Sequence, residues 1–301
     1  MPGVLLEQKN TIEQFLEKTD CHLSVFSFLN IFAWADFFEF EVTAIDNHLC
    51  IFAKNEIGVF LYLPPLGRAI EGPVIDRCFD KMYEANGANG VSRIDNVGDE
   101  HLKYFPVDKY TIYKKSSEYV YDKNDIVVFE GNDYKSKRSS YNQFTRHYRY
   151  AYIAYEPSML DECMELYAAW ARQRTALNHD VVYTQMIEDN DKVHRRVLAN
   201  YGALGLIGRV VKVDGQIKGY TFGFPITKDS FCVLFEITDL TIKGLSVFIF
   251  RSFCAESVWG HYKYVNVMDD FEMENIKKTK MSFHPSRIMP IYTVTQKENH
   301  G

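Results

Sequence analysis

No Cys-x-x-Cys pair occurs in the 301-residue sequence, and its six cysteines (Cys21, Cys50, Cys78, Cys163, Cys232, Cys254) are scattered among mostly apolar neighbours. Cysteines in that arrangement read as reduced, buried thiols. Gly-x-Ser-x-Gly, His-Glu-x-x-His and Walker-type loops are missing, and the nine histidines are isolated, which leaves hydrolase and zinc chemistry without a motif and predicts no metal. Long apolar runs are missing too. The most apolar window, CHLSVFSFLNIFAWA (21–35), contains His22, Ser24, Ser27 and Asn30 and stops before Asp36, whereas a membrane span needs roughly 20 apolar residues. It predicts a buried helix. The opening MPGVLLEQKN has no basic region followed by an apolar run, so the sequence reads as cytoplasmic, with contact to the inner membrane surface left open.

A further absence is local. The chain carries a net charge of -6, yet between Asp133 and Glu156 there is no acid. Lys135, Lys137, Arg138, Arg146 and Arg149 alternate there with Tyr134, Tyr141, Phe144, Tyr148, Tyr150 and Tyr152. As one helix over 133–149, at about 100° per residue, Tyr134, Tyr141, Phe144 and Tyr148 form one stripe and Lys135, Arg138, Arg146 and Arg149 another. The outer cations read equally as a solvated face. Lys137 falls inside the aromatic stripe, where an ammonium needs an anionic partner from the protein or from a ligand.

What is abundant sets the frame. At 47% hydrophobic and 15% aromatic residues, the chain has material for one large domain or two of about 150 residues. The second half reads as helices over 157–173 and 183–202, the latter ended by Gly202, then strands LGLIGRVVKV, QIKGYTFGFP and SFCVLFEITD. Asp214-Gly215 marks a hairpin between the first two. A helix begun by Gly244, a strand YKYVNVMD, a helix FEMENIKKTKMSF and a strand near IMPIYTVT complete it. The first half repeats the order, with helices 7–18 and 23–34, strands near 38–45, 48–54 and 57–63, helix 72–86, strand 91–95, helix 98–104 and strands between 108 and 121. The fold class is therefore α+β, with mostly antiparallel sheets flanked by helices. The order is that of the GNAT-type acyltransferase fold, here in tandem, with domains expected at 1–130 and 131–301.

Glu236 and Asp239 end the run VLFEITD and share a face only if the strand stops or bulges near them. The sequence then resembles a known family. SSEYVYDKNDIVVFEGNDYKSKRSSYNQFTR, FEITD, VNVMDDFEMENIKKTKMSFHP and GLIGRVVKVDGQIKGYTFG are similar to blocks of the C-terminal domain of phosphatidylglycerol lysyltransferase, the DUF2156 family, and FLYLPPLG (60–67) is a weaker match. The resemblance implies transfer of an aminoacyl group from aminoacyl-tRNA, as co-substrate, to a lipid such as phosphatidylglycerol at a membrane surface, without a cofactor and without DNA. Matched positions are Lys137, Arg138, Phe144, Glu236, Asp239, Asn266, Asp270, Lys280, Ser282 and Pro285. Three places depart from the family blocks E-K-A-D and N-R-E-x-D-x-G: Ile237 stands for the Lys, Val267-Met268 for the Arg-Glu, and Glu272 for the Gly.

The resemblance makes Glu236, Asp239 and Lys280 the expected catalytic group, with either carboxylate as base. Lys137, Arg138, Phe144, Asn266, Asp270 and Ser282 are expected to bind substrate, and Arg146, Arg149 and Gly244 the tRNA end. Two rivals remain. An acetyl-CoA N-acetyltransferase would use a Q/R-x-x-G-x-G/A loop at a helix start, of which TIKGLS (241–246) keeps only Gly244. A non-catalytic tandem-domain binder would keep the fold alone.

Overall fold

A computed structural model describes residues 2–70, 72–87, 90–177 and 180–297. They form two compact units. The first comprises Met1–Glu118, Asp269–Lys278 and Ile288–Gly301, the second Tyr119–Met268 and Thr279–Arg287. The units divide at 118/119, within the stretch where the sequence places the joint, and two late segments belong to the first unit.

In the first unit, α1 (Pro2–Glu7), α2 (Lys9–Leu16) and α3 (Phe28–Ala33) precede β1 (Glu39–Ile45), β2 (His48–Lys54) and β3 (Val59–Leu61). Then come α4 (Gly72–Asn86), β4 (Ile94–Gly98), a 3-10 helix Asp99–Tyr104 and β5 (Tyr110–Asp122), which leads into the second unit. The strand order is β1-β2-β3-β4-β11-β5, with β11 (Arg287–Gln296) antiparallel to β4 and β3 parallel to it. Asp46 and Asn47, with φ of 47° and 63°, make the two-residue turn between β1 and β2. Leu49, Cys50, Ile51, Phe52 and Ala53 of β2 are all buried, as in a strand covered on both faces.

The apolar window 21–35 yields a shorter helix than expected, α3, with all six residues buried. Residues before it are held as a turn instead. Ser24 donates to the buried Glu118 carboxylate from its backbone N–H (2.8 Å) and its hydroxyl (2.6 Å), and the Ser27 side chain caps α3 by accepting from the Asn30 N–H.

The second unit holds α5 (Lys123–Val128), α6 (Lys135–His147), β6 (Tyr150–Ala154), α7 (Leu160–Leu177), α8 (Val181–Ala199), α9 (Tyr201–Leu204), β7 (Ile207–Val213), β8 (Gln216–Pro225), β9 (Ser230–Thr238), α10 (Leu245–Cys254) and β10 (Tyr264–Asp269). α11 (Glu274–Met281) divides between the two units at Lys278. The strand order is β10-β9-β8-β7-β6, antiparallel except for β10 beside β9. Asp214-Gly215 forms the expected hairpin. Gly202 does not end a helix; α8 stops at Ala199, and Gly205, with φ of 69°, closes the short α9 that follows. Both units contain the series β-β-β-α-β, as β1-β2-β3-α4-β4 and β7-β8-β9-α10-β10, so the fold is the α+β, tandem GNAT-like one. No described helix is long and apolar enough to cross a membrane.

Candidate active site

The site is built on β9 and α6 of the second unit. β9 lies between β10 and β8, and its register with β8 slips beside Phe222 and Gly223, so that Leu234 is the extra residue. Glu236 then stands opposite Thr221, and β9 ends at Thr238. Cross-strand partners point their side chains to the same face. Thr221 is fully buried and its hydroxyl has no hydrogen-bond partner. Glu236 is half-buried and forms no ion pair within 4.0 Å among the described residues. Burial pushes its carboxyl up to about 8, against an opposing pull from the Lys137 charge. A buried hydroxyl without a partner beside a carboxyl that makes no ion pair is what makes this strand end a candidate ligand position. Thr221 carried no signal in the sequence, because only the strand register brings it to Glu236.

Lys137 does turn inward with the aromatic stripe. Its ammonium donates to Ser282 Oγ at 2.7 Å and sits 3.5 Å from the centre of the Phe283 ring. Ser282 donates its own proton to the Thr279 carbonyl at 2.6 Å, so its free lone pair faces the lysine. Desolvation lowers the Lys137 ammonium to about 8, while the Glu236 charge works to raise it. Tyr121 and Cys254 also feel Glu236, and burial with that charge pushes both up. Around them Tyr119, Tyr121, Phe129, Tyr134, Phe250 and Phe253 form the unit's main aromatic core.

Several expected site residues are used elsewhere. Asp239 accepts from the Thr241 N–H (3.0 Å), the Thr241 hydroxyl (2.7 Å) and Lys218 Nζ (3.1 Å). Those hydrogen bonds lower its carboxyl against the opposing effect of desolvation, and they build the turn before α10. Lys280 Nζ donates to the carbonyls of Val267 (2.6 Å) and Met268 (2.9 Å), and Asn266 Oδ1 accepts from the Met268 N–H at 2.7 Å. Both fix the end of β10, where Met268 has φ of 62°. Asp270, in the first unit, is buried and accepts from the Glu272 N–H at 3.1 Å. Arg138 donates to the Phe129 and Gly131 carbonyls and so closes the C-terminal end of α5. Phe144 is fully buried against Phe248 of α10, 4.6 Å between ring centres, beyond a substrate's reach. Pro285 lies in the turn between α11 and β11.

Gly244, with φ of 81°, marks a close crossing: a side chain there would overlap the Ser140 carbonyl of α6. Arg146 and Arg149 are exposed. Arg149 lines a cleft of about 540 Å³ with Tyr150, Ala151, Lys212, Asp214 and Gly215. Ile237 is buried, packed where the family block has its lysine.

Among solved structures, a conserved protein of unknown function from Bacteroides thetaiotaomicron matches with a TM-score of 0.85 at 23% identity, over 97% of both chains. L-PGS from Bacillus licheniformis matches with a TM-score of 0.68 at 15% identity, over 97% of this chain and 92% of that one. A tandem GNAT protein from the clavulanic acid biosynthesis pathway matches with a TM-score of 0.52 at 6% identity, over 97% and 96%. No curated protein matches the sequence significantly. Residues 17–295 match the family described as phosphatidylglycerol lysyltransferase, C-terminal, and the chain belongs to that family.

Proposed function

We propose that the protein transfers an aminoacyl group from aminoacyl-tRNA to the hydroxyl of a lipid such as phosphatidylglycerol. The observation that carries this reading is the Glu236–Lys137 arrangement in a chain of this family: a carboxyl at the end of β9 opposite the buried Thr221, and an inward-turned ammonium held by Ser282 and Phe283, each pushed by burial toward its neutral form. In this reading ionised Glu236 takes the proton of the acceptor hydroxyl as its oxygen attacks the ester carbonyl. The Lys137 ammonium, steadied by Ser282 and Phe283, faces the oxyanion that forms. The intermediate collapses by breaking the carbonyl–ribose oxygen bond, and the proton held by Glu236 passes to the departing ribose oxygen. Glu236 is assigned as base over Asp239 because Asp239 is committed to three hydrogen bonds in its turn. Lys280, Asn266 and Arg138 hold backbone in place, and Gly244 serves helix packing.

Arg146 and Arg149 are assigned to phosphates of the tRNA end. The acetyl-CoA alternative is disfavoured by Gly244, since α6 crosses the start of α10 where a pyrophosphate would approach. The test is incubation with phosphatidylglycerol vesicles and either labelled aminoacyl-tRNA or labelled acetyl-CoA, followed by lipid extraction. Label is expected in the lipid from aminoacyl-tRNA. Label from acetyl-CoA alone, or from neither donor, overturns the proposal.

A further inference from the structure

Sequence spacing offers no metal motif, yet the fold gathers three ligand types from two distant segments of the first unit. Cys21 lies in the turn ahead of α3, and Glu100 and His101 lie in the 3-10 helix after β4. One ligand atom from each, the thiol sulfur, a carboxylate oxygen and a ring nitrogen, falls within 4.8 Å of the other two. We propose that Cys21, Glu100 and His101 bind a divalent metal ion of the zinc class.

A second observation points the same way. His101 is only 5% exposed, and its Nδ1 has no hydrogen-bond partner. A buried ring nitrogen left bare is costly and calls for a ligand. The imidazole is already oriented, stacked on Phe26 at 5.3 Å with the planes 8° apart. The carboxylate is placed by the absence of a neighbour's side chain: a Cβ at Gly98 would lie 2.8 Å from Glu100 Oε2.

The donor set selects the metal. Sulfur, imidazole and carboxylate together suit zinc, whereas magnesium and calcium take oxygen ligands. Tetrahedral ligands around zinc sit about 3.3–3.8 Å apart, so side-chain shifts of about 1 Å complete the geometry, with water as fourth ligand. The metal's effect is structural: it ties the turn before α3 to the 3-10 helix, within a unit that contains neither Glu236 nor Lys137.

The test uses the whole chain without a metal-binding tag, loaded with Zn2+, freed of excess metal, and assayed by mass spectrometry; Co2+ loading reads the ligands by absorption. The expected result is about one Zn2+ per chain and a thiolate-to-cobalt charge-transfer band. Cys21→Ser should abolish the band, and His101→Ala should lower Zn2+ affinity by more than about 100-fold. Gly98→Ala, which displaces only the Glu100 carboxylate, should weaken Zn2+ about 10-fold with an unchanged circular dichroism spectrum. Far less than one Zn2+ per wild-type chain, or a cobalt band that persists in Cys21→Ser, overturns the proposal. The readout is metal binding, so it stands or falls separately from the aminoacyl-transfer assay.

Discussion

Burial pushes the Glu236 carboxyl up to about 8, well above an ordinary glutamate, and that direction fixes how its contribution depends on pH. The folded state favours the protonated carboxyl. Its contribution to stability is therefore whole below the unfolded value near 4.3 and is lost as pH rises through about 8. Glu236→Gln, which imitates the protonated form, should gain stability relative to wild type steadily from about pH 4 to pH 8 in denaturant titrations. A constant difference across that range would contradict the placement of the carboxyl. The same substitution should remove transfer activity. Lys137→Met fills a similar volume without a buried ammonium, so stability should change by less than about 1.5 kcal/mol while turnover falls about 10²–10³-fold. Loss of the Lys137 charge should also move the midpoint of the rising pH–rate profile upward, since that charge holds the Glu236 carboxyl down. A third residue shows a departure from the family pattern in physical terms. Glu272 has φ of 55°, the left-handed conformation that a glycine adopts without cost, and the family block has a glycine at this place. Its only ion pair in the described residues, with Lys114 at 3.5 Å, joins two exposed side chains and is worth little. Glu272→Gly is expected to leave stability unchanged or raise it by up to about 1 kcal/mol, measured by thermal unfolding.

At the scale of the element, α6 explains how much of the site was legible. Its amphipathic spacing placed Phe144 and Tyr134 in the core and Lys137 on the same side, and the structure agrees. The periodicity did not distinguish the fates of the outer cations: Arg138 bonds backbone carbonyls, whereas Arg146 and Arg149 stay in solvent. Hydrogen bonds to backbone are set by where a neighbouring loop passes, which helical spacing does not encode. Thr221 was invisible for a related reason, since its meeting with Glu236 depends on the β8–β9 slip at Leu234. Conversely, the β-β-β-α-β order was readable because turn residues such as Asp214-Gly215 and Gly244 announce themselves locally. The exposed pair carries its own prediction. If Arg146 and Arg149 meet single-stranded phosphates, each contact contributes about -0.7 to the slope of log affinity against log salt. Arg146→Gln with Arg149→Gln should weaken aminoacyl-tRNA binding and flatten that slope by about one unit, at unchanged melting temperature. Unchanged affinity and slope would make the pair a solvated helix face.

For the whole molecule, family and tandem fold were legible from ordered blocks, but the place of the last strand in the sheet was not. Local patterns mark where strands start and stop, and they are silent about which partner a late strand chooses. β11 chooses β4, by way of Ile291 beside Gly98 and Tyr292 beside Val97. That pairing has a consequence for synthesis. As the chain leaves the ribosome, β4 emerges long before β11, so its open edge must wait through the making of nearly two hundred residues. During that interval the first unit lacks a central strand and exposes backbone groups to any other strand nearby. In the second unit strands β6 to β10 lie in the sheet in the order in which they are made, so each meets a neighbour already present. The half of the protein made first is thus the half whose sheet is closed by the last strand made.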